Sequence, residues 1–285
     1  MAYTKAMDIS IGAEQIAVAL AHGTLGSHLG VVFQGRESKH VMLHLMWHQR
    51  LGIDEFPQPG WIASVVPLGA LASVQATALL RGMAQKYGGN NFHAVGSPDY
   101  GINLFAGRDA ISIDGSYNPG KDCDGFTCAS IIAEIFRKIG FPLVDLETWE
   151  PHPKNLAWAR AIVCMLLATK VPEDHVEKVK SNIKGTRLRP EEVAAAIELP
   201  PGDRPAKHAA VQQRASELLT QLEASYPSPD LPGGPIGECL ITYQKELSEI
   251  ASSAHEEKKS EKEQAAVEAE ELDEQTISTE PPAQP

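Results

Sequence analysis

Asp122-Cys123-Asp124-Gly125-Phe126-Thr127-Cys128-Ala129-Ser130-Ile131-Ile132-Ala133-Glu134-Ile135-Phe136-Arg137-Lys138-Ile139-Gly140 is the stretch on which the reading of this chain turns. Its first six residues are turn-forming, and from Cys128 apolar residues recur with helical spacing until Gly140 stops the run. A thiol at a helix start lies beside unpaired backbone N–H groups and the positive end of the helix dipole. Both lower its pKa and favour the thiolate. Cys128 is therefore the candidate nucleophile, and its sulfur is expected to be ionised.

Upstream, Ile11 to Ala21 has helical character and is broken by the glycines of His22-Gly23-Thr24-Leu25-Gly26. His28 to Gln34 reads as a strand, Gly35 to Ser38 as a turn, and Lys39 to His48 as a second strand, so a hairpin is expected. In the second strand Val41, Leu43, Leu45 and Trp47 share one parity, and His40, Met42, His44, Met46 and His48 the other. Alternation puts an apolar face on one side and histidines on the other. Gly52 to Gly60, with two prolines, reads as a loop, and Leu68 to Tyr87 as a helix ended by Gly88-Gly89. Asn90 to Lys121 is turn-rich, with short strands expected at Ile102 to Phe105 and Ala110 to Ile113. Leu156 to Ala168 is helical, Val171 to Gln221 reads as short helices interrupted by prolines and Gly185, and Tyr226 to Gly237 as a linker.

Around Cys128 the chain resembles the NlpC-type branch of the papain-like superfamily, in which a cysteine starts a helix closed by F-R-K-x-G; here Phe136-Arg137-Lys138-Ile139-Gly140 takes that place. Asp122-Cys123-Asp124-Gly125-Phe126 matches the family's D-C-x-G-F letters more literally. The spacing to the terminating glycine nevertheless favours Cys128 over Cys123. Ser27-His28-Leu29-Gly30-Val31-Val32-Phe33 resembles the H-x-G-I-Y strand of the circularly permuted relatives, the lecithin retinol acyltransferase-like proteins and bacterial permuted peptidases, in which the histidine precedes the cysteine. Val41-Met42-Leu43-His44-Leu45 resembles their V-x-H-L element. The resemblance implies an α+β, papain-like (permuted NlpC-type) fold, an antiparallel sheet packed on the nucleophile helix, with a C-terminal helical extension. It implies Cys128 as nucleophile, His28 as base and His44 as the residue that orients it, with His40 and His48 as alternatives for the third role. The activity implied is hydrolysis of peptide, isopeptide or other amide bonds through a thioacyl intermediate. The alternatives are acyl transfer by the same residues, or an inactive papain-like binding module.

Composition narrows the field. Of a net charge of -12, His255 to Pro285 carries -7, and no basic cluster is present to bind nucleic acid or an anionic membrane. The opening residues lack the pattern of a secretory signal, and no apolar run could span a bilayer, so a cytoplasmic location is expected. The four cysteines, Cys123, Cys128, Cys164 and Cys239, are then expected as thiols rather than bridges. No metal or other cofactor is expected. The division expected is a thiol hydrolase domain at 1–165, a helical extension at 166–235, and an acidic tail at 236–285, partly helical to disordered and a possible contact for a protein partner.

Overall fold

A computed structural model describes residues 3–88, 96–105 and 107–253. Six antiparallel strands, β1 (Thr4–Lys5), β2 (Ala17–Gly23), β3 (Gly26–Gln34), β4 (His40–Trp47), β5 (Arg50–Glu55) and β6 (Trp61–Val65), form one sheet in the order β1-β6-β2-β3-β4-β5. Seven α-helices follow: α1 (Ala70–Tyr87), α2 (Cys128–Lys138), α3 (Pro153–Ala168), α4 (Glu173–Ser181), α5 (Pro190–Glu198), α6 (His208–Ser225) and α7 (234–253). The fold is α+β, as expected, and among the described residues no helix is long and apolar enough to cross a membrane.

Strand register assigns every side chain to a face. Leu20 lies opposite Leu29 and Ile62, and Val31 opposite Leu43, so these residues share one face. They bury it against Leu79 and Leu80 of α1, Ile132 and Phe136 of α2, and Val193 and Ile197 of α5. Each such fully buried side chain contributes about 1.5–3 kcal/mol before the entropy of ordering it is subtracted. The other face is built from small residues, Ala17, Ala19, Ala21 and Ala63, packed with Val32, Met42, Trp61 and Phe56. His28 lies opposite Ala21 and His44 opposite Gly52, so both histidines belong to this second face. The alternation of β4 thus appears as its sequence pattern requires.

Three expectations are corrected. Ile11 to Ala21 does not form a helix: Ala17–Gly23 is strand β2, and Ala17 to Leu20 are buried in alternation on both sides of the sheet. A strand buried on two faces has no polar parity to distinguish it from a helix. The supposed loop from Gly52 begins inside strand β5, where glycine is required because a Cβ would lie 2.7 Å from the His44 Nε2. No strand forms at Ile102 to Phe105 or Ala110 to Ile113 among the described residues; only isolated bridges pair Tyr100 with Phe126 and Ile111 with Tyr117. There the chain is held instead by the buried Asp124 carboxylate, which accepts from the backbone N–H groups of Ile102 and Asn103.

Cys164 and Cys239 form a disulfide with Cα atoms 5.9 Å apart, contrary to the expectation of free thiols, while Cys123 and Cys128 remain free. Seventy-five residues separate the pair in sequence, and only the docking of α7 on α3 makes them neighbours. The expected tail therefore begins with an ordered helix, and the acidic segment 254–285 lies outside the described residues.

One apolar cluster runs from Val18 and Val31 of the sheet to Leu218 and Leu222 of α6, crossing the expected boundary at residue 165. Buried Glu192 ties this region together by accepting from the Trp149 indole at 2.9 Å and the Arg189 backbone N–H at 2.8 Å. Replacing Glu192 with Ala orphans both buried donors, so Glu192→Ala is expected to lower unfolding free energy by about 2–4 kcal/mol in urea titration. A change below about 0.5 kcal/mol would mean that the contact is not structural.

Candidate active site

Thr127 fixes the start of α2. Its hydroxyl accepts from the Ser130 N–H at 3.1 Å, and Ser130 Oγ accepts from the Thr127 N–H at 2.8 Å, a reciprocal capping box. Cys128 is the first helical residue. The β3–β4 register ends at Val31 and Leu43, although His28 and His44, farther along the two strands, remain in contact. The backbone N–H groups of Leu29 and Ala129 lie near the Cys128 thiol and pull its pKa down.

On the second face, His28 Nε2 and His44 Nδ1 are 2.7 Å apart, and His44 Nε2 is 2.8 Å from Asp54 Oδ2. Trp61 packs edge-on against both rings at 5.8 Å. The chain of acceptors sets the tautomers. The Asp54 carboxylate must receive a proton from His44 Nε2, so His44 Nδ1 is a lone pair and accepts from His28 Nε2–H. His28 Nδ1 is then the free basic nitrogen. The hydrogen bond from His44 holds the Asp54 carboxyl below its ordinary range. Asp54 is the member that the sequence reading missed. It lies on β5, two residues beyond the partner of His44 and on the same face, a relation invisible once Gly52 to Gly60 is read as a loop.

The structure brings His28, His44 and Cys128 to the wall of one cavity of about 310 Å³, although the histidines and α2 lie on opposite faces of the sheet. No hydrogen bond between Cys128 and His28 is among the described contacts. His40 is elsewhere, with Nε2 3.4 Å from the Gly12 carbonyl. His48 is also elsewhere, beyond the end of β4. Tyr100, Trp158 and Arg187 complete the cavity, and Ser27 donates from its edge to buried Glu191 of α5. None of these was singled out from sequence, because nothing local marks a residue that a distant helix brings to a site.

The expected thiolate is not the resting state. Burial pushes the Cys128 thiol up to about 11, and this outweighs the N–H groups of Leu29 and Ala129 that pull it down. Burial, the largest effect, brings His28 down to about 3. A neutral thiol and a neutral imidazole lining one cavity follow.

The ring nitrogens of His48 and His175 and the Asp99 carboxylate lie within 4.8 Å of one another, the one group of described residues with a metal-like arrangement. The same atoms take part in ordinary hydrogen bonds. His175 Nε2 donates to the Tyr100 carbonyl at 2.9 Å, the Tyr100 N–H lies 3.4 Å from His48 Nδ1, and Asp99 accepts from Gln49 at 3.1 Å. They clamp Tyr100 beside the cavity. No family model, curated protein or solved structure is significantly similar to this chain.

Because the thiol is raised, its ionised fraction grows with pH across the whole accessible range. Alkylation of Cys128 by iodoacetamide, followed by peptide mass spectrometry, is expected to accelerate about tenfold per pH unit between about pH 7 and 10. A plateau near neutrality would show an ion pair instead. In a second test, Asp54→Asn removes the acceptor that fixes His44. It should slow base-assisted acylation of Cys128 by about 10–100-fold with the fold retained, and an unchanged rate would remove Asp54 from the relay.

Proposed function

We propose that the protein is a cysteine hydrolase of amide bonds, with Cys128 as nucleophile, His28 as general base, and His44 and Asp54 holding the base in its reactive tautomer. The observation that carries this reading is the continuous hydrogen-bonded series from Asp54 through His44 to His28, ending in the cavity that Cys128 also lines. The order of a histidine strand followed by a cysteine helix, and the antiparallel sheet beneath them, agree with a permuted papain-like arrangement.

In the reaction, the Cys128 proton passes to His28 Nδ1 as the sulfur attacks the carbonyl carbon, so no free thiolate has to accumulate in the buried site. The imidazolium that forms is stabilised through His44 by the Asp54 carboxylate. The N–H groups of Leu29 and Ala129, which lower the thiol pKa, would serve as donors to a developing oxyanion. His28 returns the proton to the leaving amine, and water then cleaves the thioester.

Acyl transfer by the same residues is the second reading, favoured by the apolar side of the cavity, where Trp158, Ile162 and Met165 suit an acyl chain. The Cys164–Cys239 disulfide favours an oxidising compartment over the cytoplasm expected from sequence.

With p-nitrophenyl acetate as acyl donor, intact mass and peptide mapping should find an acetyl group on Cys128. Cys128→Ala should abolish it, and His28→Ala should slow its formation by about 10²–10⁴-fold, the usual worth of a general base. Acetylation that persists in Cys128→Ala would exclude this thiol as nucleophile. An added amine that captures the acetyl group faster than water does would select the acyltransferase reading.

A further inference from the structure

The residues that line the cavity of Cys128 include no aspartate, glutamate or lysine, and Arg187 is the one permanently charged side chain among them. Its guanidinium stacks on the Trp158 ring at 4.1 Å and donates one hydrogen bond, at 3.3 Å, to the Leu25 carbonyl. No ion pair joins it to a carboxylate among the described residues. Glu191, the acid whose field it feels most, is instead held by the Ser27 hydroxyl. Burial accordingly pulls the Arg187 guanidinium below its ordinary value. Arg187 keeps some contact with water, and the N–H groups it does not spend on Leu25 form a planar fork suited to a carboxylate. In a chain of net charge -12, which repels anions at long range, such a site matters only to an anionic group delivered into the cavity itself.

We propose that Arg187, braced by Trp158, forms a carboxylate subsite beside Cys128, so that the preferred substrates are amides with a free carboxylate close to the scissile carbonyl. This rests on the hydrolase reading and names its substrate class. The cavity, at about 310 Å³, is at the small end of ligand pockets and suits a short acidic amide rather than a long peptide. Carboxylate binding would orient the carbonyl over the sulfur, which makes Arg187 a binding and positioning residue.

Iodoacetate and iodoacetamide test this without a known substrate, since they differ only in carrying a carboxylate or its neutral amide. In both, the Cys128 sulfur bonds to the methylene carbon, the carbon–iodine bond breaks, iodide leaves, and the thiol proton passes to His28 or to water. The full chain, disulfide intact and carrying Cys123→Ser to silence the other thiol, is alkylated with each reagent at one pH, with glutathione as the reference thiol. The ratio of the iodoacetate to the iodoacetamide rate at Cys128 is expected to exceed that of glutathione by about tenfold, the worth of one charge-assisted contact. Arg187→Gln should return it to the glutathione value, and Arg187→Lys should keep part of it. A wild-type ratio at or below that of glutathione overturns the subsite whether or not the variants fold, and leaves the hydrolase reading intact. A preference that survives in folded Arg187→Gln overturns the assignment to Arg187. Failure of both reagents to alkylate Cys128 overturns the hydrolase reading and the subsite together.

Discussion

The end of the β3–β4 register at Val31 and Leu43 is the constraint on which the rest of the site depends. A continuous antiparallel ladder would occupy the Leu29 N–H with a β4 carbonyl and separate the histidine face of the sheet from the helix face. Where the register ends, the Leu29 N–H lies close enough to the Cys128 thiol to lower its pKa, and one cavity reaches both His28 and Cys128. The helix is held at the opening by its capping box, and β4 keeps its register with β5, so His44 remains opposite Gly52 and within reach of Asp54. The same alternation that buries Leu43 and Leu45 on one side delivers His44 to the other.

Electrostatics then decide how such a site could work. A helix start and two donated N–H groups favour a thiolate, yet desolvation of Cys128 is the larger effect. With the thiol raised to about 11, ionising it alone at neutral pH costs roughly 5 kcal/mol. That is too much for a standing anion and is affordable only as the proton moves in concert with bond formation. The relay from Asp54 through His44 suits that task, since it offers one lone pair on His28 and a carboxylate to balance the charge that appears there. The arrangement is closer to a hydroxyl nucleophile with its base than to a preformed thiolate–imidazolium pair.

Much of this was legible in the sequence where one element carries both a pattern and its boundary. The helix from Cys128 to Lys138 announces itself by its turn, its apolar spacing and Gly140, whose φ of 77° ends it. The hairpin of β3 and β4 is equally plain from alternation, and with it the parity that joins His28 to His44. What escaped shares a different property. β2 is buried on both faces and shows no alternation of polarity; β5 is short and carries a glycine for the sake of a neighbouring ring; Asp54, Arg187 and the Cys164–Cys239 bridge have meaning only through partners on other elements. Local sequence records propensity and period. It does not record which distant residue will be opposite.

The helical region after residue 165 illustrates what that distinction means for function. Read as an extension, it has no evident purpose. In the structure, α5 buries Val193 and Ile197 against the same sheet face as α2 and sets Glu191 against Ser27, the residue next to His28. The segment before α5 delivers Arg187 to the ring of Trp158, itself on α3, while Pro229, in the stretch after α6, reaches the cavity rim. The disulfide fastens α7 to α3 beside Met165, which lines that cavity. The thiol helix and the two histidines come from the first half of the chain, and the second half adds Trp158, Met165, Arg187 and Pro229 to a cavity wall that the first half shares through Leu25, Trp47 and Tyr100.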